Sequence, residues 1–166
     1  VKYCLENKID VHIMMTLNAL CFASFDKFQE QIIELREQFP KVDLNMSYNL
    51  LRFPSFQSIT TLPEYIKKQK IDQYVKWTNK HKKYLLDEEI AGMQRTLKYI
   101  SDVTQTHSIH LHGSELETRQ KDFKSFYTQY DKRRNKNFLD AFKDWPELTD
   151  WYETLTPGNR IINKLT

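Results

Sequence analysis

Val11-His12-Ile13-Met14-Met15-Thr16-Leu17 is a short, nearly continuous apolar run rich in strand-forming residues, the pattern of a parallel strand covered on both faces. After it, Ser24 offers an N-cap oxygen, and Phe25, Phe28, Ile32, Leu35 and Phe39 recur at steps of three and four. That spacing predicts a helix with one apolar face, ending before Pro40. Val42-Asp43-Leu44-Asn45-Met46-Ser47-Tyr48 then alternates apolar and polar residues and reads as a second strand. Strand, helix and strand within about forty residues define a right-handed βαβ crossover with parallel strands. One such crossover cannot bury both faces of its strands, because a parallel sheet needs further neighbours and helices on each side. The expectation is therefore that more strands lie upstream, and that this chain, which starts at Val1 rather than Met, is the carboxy-terminal part of a larger α/β protein.

Beyond the crossover, Leu51-Arg52-Phe53-Pro54-Ser55-Phe56 is irregular and residues 57–62 read as a short extended segment. From Pro63 onward the pattern is helical. Proline at a first helical position precedes a long charged segment whose apolar contacts are Ile66, Tyr74 and Trp77. Asp87 is placed to cap a helix bearing Ile90, Met93, Leu97 and Ile100. Ser114 and Glu117 have capping-box spacing ahead of Phe123, Phe126, Tyr127 and Tyr130. Pro146 opens a last short helix carrying Leu148, Trp151 and Tyr152. The chain thus divides into an α/β part, residues 1–62, and a helical extension, residues 63–166.

Hydrophobic residues make up 40% of the chain and aromatics 13%, which excludes a disordered segment and predicts a globular one. No apolar run approaches the ~18 residues of a membrane-spanning helix, so no membrane association is expected. Cys4 and Cys21 have no close metal-binding spacing and read as buried thiols, in keeping with a reducing, cytoplasmic setting. A net charge of +3 is mild, although Lys67, Lys68, Lys70, Lys76, Lys80, Lys82 and Lys83 crowd one stretch.

The segment from Ile9 to Pro63 resembles the last two βα units of the partial (βα)6 barrel of radical S-adenosylmethionine enzymes, with Asp10 to Asn18 similar to the fifth strand and residues 42–48 to the sixth. Asp122-Phe123-Lys124-Ser125-Phe126-Tyr127-Thr128-Gln129-Tyr130-Asp131-Lys132-Arg133-Arg134, with Asn137-Phe138 and Trp145-Pro146-Glu147-Leu148, resembles the ending of members with a twitch-type extension. Leu51-Arg52-Phe53-Pro54-Ser55-Phe56 with Leu62-Pro63 looks like their connection after the sixth strand. The resemblance implies S-adenosylmethionine and a [4Fe-4S] cluster as cofactors, an electron donor and a peptide or small-molecule substrate as partners, and hydrogen abstraction by a 5′-deoxyadenosyl radical. The family's C-x-x-x-C-x-x-C motif is absent here, so the cluster ligands are expected upstream and this chain alone is expected to be inactive. The resemblance further implies, by strand position, that Thr16, Asn18, Asn45 and Met46 touch the adenosyl side of the cofactor.

Each of these residues also has a plainer reading. Asn18 can serve the turn after the first strand, and Met14, Met15 and Met46 can be core. His107, His110 and His112 cluster, but no acidic residue or cysteine stands at a useful spacing, and a polar loop is the better reading. Lys132, Arg133, Arg134 and Lys136 follow an aromatic helix face that could bind nucleic acid; cations at a helix C-terminus complement its negative pole and are the preferred reading. The competing function is a nonenzymatic basic helical module that binds RNA or a protein partner.

Overall fold

The structure is a computed structural model and describes residues 1–105 and 115–158. Strand β1 spans Val11–Leu17 and β2 spans Leu44–Leu50, paired parallel in the register Val11↔Leu44 through Leu17↔Leu50. Around them, in chain order, are α1 (Lys2–Glu6), α2 (Phe25–Gln38), α3 (Glu64–His81), α4 (Asp87–Gln105), α5 (Leu116–Arg134), α6 (Phe138–Ala141) and α7 (Pro146–Thr154). The chain is an α/β fold with a parallel pair joined through a helix, as its periodicity predicts, and the described residues after β2 are helical or irregular.

Pleating assigns the faces. Val11, Ile13, Met15 and Leu17, with Leu44, Met46, Tyr48 and Leu50, point to the side that α2 covers, where Leu5, Ile32, Leu44 and Met46 form a small core with Phe28, Leu35 and Phe39 packed on it. Helix α1 goes unrecognised in the sequence because its five residues are too few for a periodic signal. Its Leu5 is 1% exposed and helps to close that core. On the opposite face lie His12, Met14 and Thr16 beside Asn45, Ser47 and Asn49, and there Met14 is 68% exposed. The expectation of a strand covered on both faces is thus met on one side only.

The edges differ as well. Val11 N–H donates to Asp43 O and Leu51 N–H to Leu17 O, so the odd-numbered residues of both strands turn their backbone groups toward each other. The even-numbered residues of β2 therefore face outward, and α4 meets them. Glu89 of α4 accepts from Met46 N–H at 3.0 Å, while Arg36 of α2 donates to Leu44 O and to both oxygens of Glu89. Gly92 lets α4 come close, since a Cβ there would stand 2.9 Å from Cδ2 of Tyr48. Gly92→Ala is expected to push α4 off β2 and to lower stability by about 1 kcal/mol, with overpacking outweighing alanine's better helix propensity. Urea unfolding checks this, and an unchanged or raised midpoint contradicts it.

Several local expectations are corrected. β2 lies two residues further on than the alternation suggested, because Val42 still belongs to the turn after α2, its N–H donating to Phe39 O at 3.2 Å, and the ladder continues to Leu50. Ser24 precedes α2 but its side chain makes no capping hydrogen bond. Residues 57–62 are not extended: Ser55–Gln57 and Ile59–Thr61 are 3-10 turns, held by Thr61 Oγ1 donating to Ser55 O and Thr60 N–H to Ser58 Oγ. Ser114, and with it the capping box expected there, lies outside the described residues; Glu117 binds Lys121 at 2.6 Å. Both cysteines are free and half-buried rather than buried.

The helical extension shares one core with the front. Leu17, Phe22, Phe25, Ile59 and Tyr74 belong to the same buried cluster as Phe123, Phe138, Trp151 and Tyr152. The composition change near residue 62 therefore marks no break in packing. Asn135 ends α5 in the left-handed conformation, φ 49°, and Asn137 Oδ1 caps α6 by accepting from Leu139 N–H and Asp140 N–H. Lys132, Arg133 and Arg134 fall in the last turn of α5, where cations complement the helix dipole.

Candidate functional site

In open α/β sheets the carboxyl ends of the strands are the usual place for a ligand, because loops there diverge and leave a crevice. Here β1 and β2 end at Leu17 and Leu50. The last outward pair on the open face is Thr16 with Asn49, which are register partners. The pair before it is Met14 with Ser47, then His12 with Asn45. His12 Nε2 and Ser47 Oγ are 3.0 Å apart across the strands. Hydroxyl, carboxamide and imidazole groups thus line a sheet face on which parallel sheets ordinarily carry apolar residues.

This face opens into a cleft of about 770 Å³ between β2 and α4, whose lining includes Asn45, Asn49, Arg52, Arg95 and Tyr99. The Arg52 guanidinium carbon lies 5.3 Å from the Tyr99 ring centroid, a cation–π arrangement that holds the side chain at the mouth. Among the described residues neither Arg52 nor Arg95 has a salt-bridge partner. The cleft therefore offers donors, acceptors and two arginines without a carboxylate partner, with Glu88 and Glu89 also in its lining, a set suited to a polar small molecule.

The residues expected to touch a cofactor divide in two. Thr16 and Asn45 are exposed on the open face, at opposite ends of the register. Asn18 starts the turn after β1: its Oδ1 accepts from Leu20 N–H at 2.9 Å and Cys21 N–H at 3.0 Å, so its oxygen is committed to the backbone. Met46 is 4% exposed, packed with Leu5 and Ile32 on the side that α2 covers, and its N–H is taken by Glu89. Asn49 was missed by the sequence reading. Extending the apolar–polar alternation of Asn45 and Ser47 by one step would have found it.

Among the described residues no group of three or more His, Cys, Asp or Glu side chains is placed to hold a metal ion. With two cysteines in the whole chain, these residues do not fit a [4Fe-4S] cluster, which needs three thiolates to leave one iron open. They do fit the nucleoside end of S-adenosylmethionine, whose ribose hydroxyls match Thr16 and Asn49 as partners. His107, His110 and His112 lie outside the described residues. No described helix is long and apolar enough to cross a membrane. No family model, curated protein or solved structure matches the chain.

Proposed function

We propose that the chain forms the last two βα steps and the helical extension of a radical S-adenosylmethionine enzyme with a partial (βα)6 barrel, and that it holds the adenosyl side of the cofactor. The observation that carries this reading is the in-register pair Thr16 and Asn49, both exposed, at the carboxyl ends of two parallel strands. Among the described residues no strand pairs with the outer edge of β1, whose even-numbered residues turn their backbone groups away from β2, so that edge can take a further strand.

S-adenosylmethionine, when bound, supplies the group that abstracts a hydrogen from the substrate. This chain's residues do the holding: Thr16 and Asn49 bond the ribose hydroxyls, Asn45 and His12 extend the polar surface, and Arg52 on Tyr99 flanks the mouth. Helix α4 lines the cleft opposite β2 and shapes the substrate side, since the cofactor carries the difficult chemistry.

The complete protein, reconstituted anaerobically with iron and sulfide and then reduced, is expected to form 5′-deoxyadenosine from S-adenosylmethionine. Absence of both the cluster absorbance and that product overturns the reading, and salt-sensitive retention of RNA by the same preparation would favour the basic helical module instead. A residue-level check uses S-adenosylhomocysteine as ligand. Thr16→Val and Asn49→Leu are each expected to weaken its binding by about five- to tenfold, the worth of one neutral hydrogen bond. Calorimetric constants unchanged in both variants would remove these residues from the site.

A further inference from the structure

A cation taken out of water needs a carboxylate or several hydrogen-bond acceptors to offset its lost hydration. Among the described residues Arg119 lacks an acceptor at one buried nitrogen, and Lys67 is a mostly buried lysine with no carboxylate partner. Lys67 is 5% exposed and Arg119 7% exposed, and among the described residues neither has a salt-bridge partner. Arg119 Nη1 donates to Thr60 Oγ1 at 2.9 Å, and that hydroxyl lies 3.0 Å from Ser58 Oγ. The Arg119 Nε–H is buried with no acceptor at all. The guanidinium is thus fixed by one corner, leaving the edge formed by Nε and Nη2, the fork that meets two oxygens of a carboxylate or phosphate.

The placement of the two residues compounds this. Lys67 is the fourth residue of α3 and Arg119 the fourth of α5, so each stands in a first turn, where unpaired amides and the helix dipole give a positive field. Burial first and Arg119 second push the Lys67 ammonium down to about 8, while Glu64, one turn earlier, pulls the other way more weakly. Burial also pushes Arg119 below its ordinary value. Glu117, in the first turn of α5, is drawn off to Lys121. Thr60 belongs to the 3-10 turn Ile59–Thr61, in the loop that leaves the carboxyl end of β2 and is tied to the end of β1 through Ala19 N–H and Gln57 O.

We infer that Lys67 and Arg119 form a binding site for an oxyanion, the phosphate or carboxylate group of a small molecule, with Thr60 setting the angle of the guanidinium. The site does not rest on the cofactor reading given above, and it uses none of the residues of the Thr16–Asn49 face.

Two probes test it on the full chain at constant ionic strength in chloride: inorganic phosphate and acetate. At least one is expected to move the Arg119 Nε–H resonance saturably. Phosphate active and acetate inert identifies a phosphate-bearing ligand, and the reverse a carboxylate-bearing one. Lys67→Met and Arg119→Met are each expected to weaken that binding at least about tenfold, as loss of a charged hydrogen bond does. Binding at pH 8 should take up protons, because the anion restores the charge on Lys67. If neither probe moves the resonance, or if Lys67→Met binds as tightly as the parent, the site is refuted.

Stability without oxyanion gives a second, independent reading. Lys67 sheds its proton in the folded protein near pH 8 but near 10.5 when unfolded, so the unfolded chain binds more protons between those values and stability must rise with pH there. The rise is expected from about pH 8 to 10, before ionisation of tyrosines in the unfolded chain opposes it. Lys67→Met should lack the rise and be at least as stable as the parent at pH 7. A variant less stable than the parent at pH 7 would show the ammonium to be a structural requirement, and would overturn the inference.

Discussion

Replacing Glu89 with alanine is expected to destabilise the protein by about 3–5 kcal/mol, the usual result of removing one partner from a buried ion pair. Glu89 is 1% exposed and accepts from four donors: both Nη atoms of Arg36, the Met46 N–H of β2, and the Leu86 N–H just before α4. The Leu86 contact is the glutamate half of a capping box. Alanine strands a guanidinium that is only 18% exposed and leaves an edge amide of β2 without an acceptor. Glu89→Gln keeps one acceptor oxygen and is expected to lose about half as much. Urea denaturation measures both, and Arg36→Met with Glu89→Gln closes a double-mutant cycle on the pair. A loss below about 1 kcal/mol for Glu89→Ala would place the pair with ordinary surface bridges.

Phe123→Ala is the second large effect, also about 3–5 kcal/mol, because a fully buried ring leaves a cavity that its neighbours cannot close. Phe123 is 0% exposed and lies within 6.2 Å, centroid to centroid, of Tyr127, Phe138, Trp151 and Tyr152. Those rings come from α5, α6 and α7, so the cavity would loosen all three helices at once. Since the same core runs forward to Leu17 and Phe22, the variant should still unfold in a single transition at lower denaturant. Two separated transitions would mean that the front and the extension fold as independent units. Phe123→Leu keeps most of the volume and is expected to cost about 1 kcal/mol.

What sequence could disclose here follows from the range of each signal. Val11 to Leu17 was legible to the residue because a nearly continuous apolar run of strand length, bounded by Asp10 and Asn18, is too short for a typical helix. Pro146 at the first position of α7 was equally plain, because its fixed φ suits a helix start. β2 was misplaced by two residues because Val42 fits the same alternation whether it pairs with a neighbouring strand or sits in the turn after α2 with its N–H on Phe39 O. The 3-10 turns before α3 were read as extended since serine and threonine hydroxyls bend that segment through contacts no periodicity encodes. Distance along the chain hid the rest. Glu89 reaches Arg36 and Met46 from across the sheet, and Arg119 meets Thr60 from the far helix, so neither pairing leaves a local trace.

The helix laid along β2 has a geometric corollary. With Glu89 bonded to the outward amide of Met46 and Gly92 pressed against Tyr48, a new strand cannot be added on that flank. Growth of the sheet is directional: a third strand can enter only next to His12, Met14 and Thr16. The sheet therefore has one flank closed by a helix and one whose backbone groups are turned outward, and any strand added to it lengthens it on the β1 side alone.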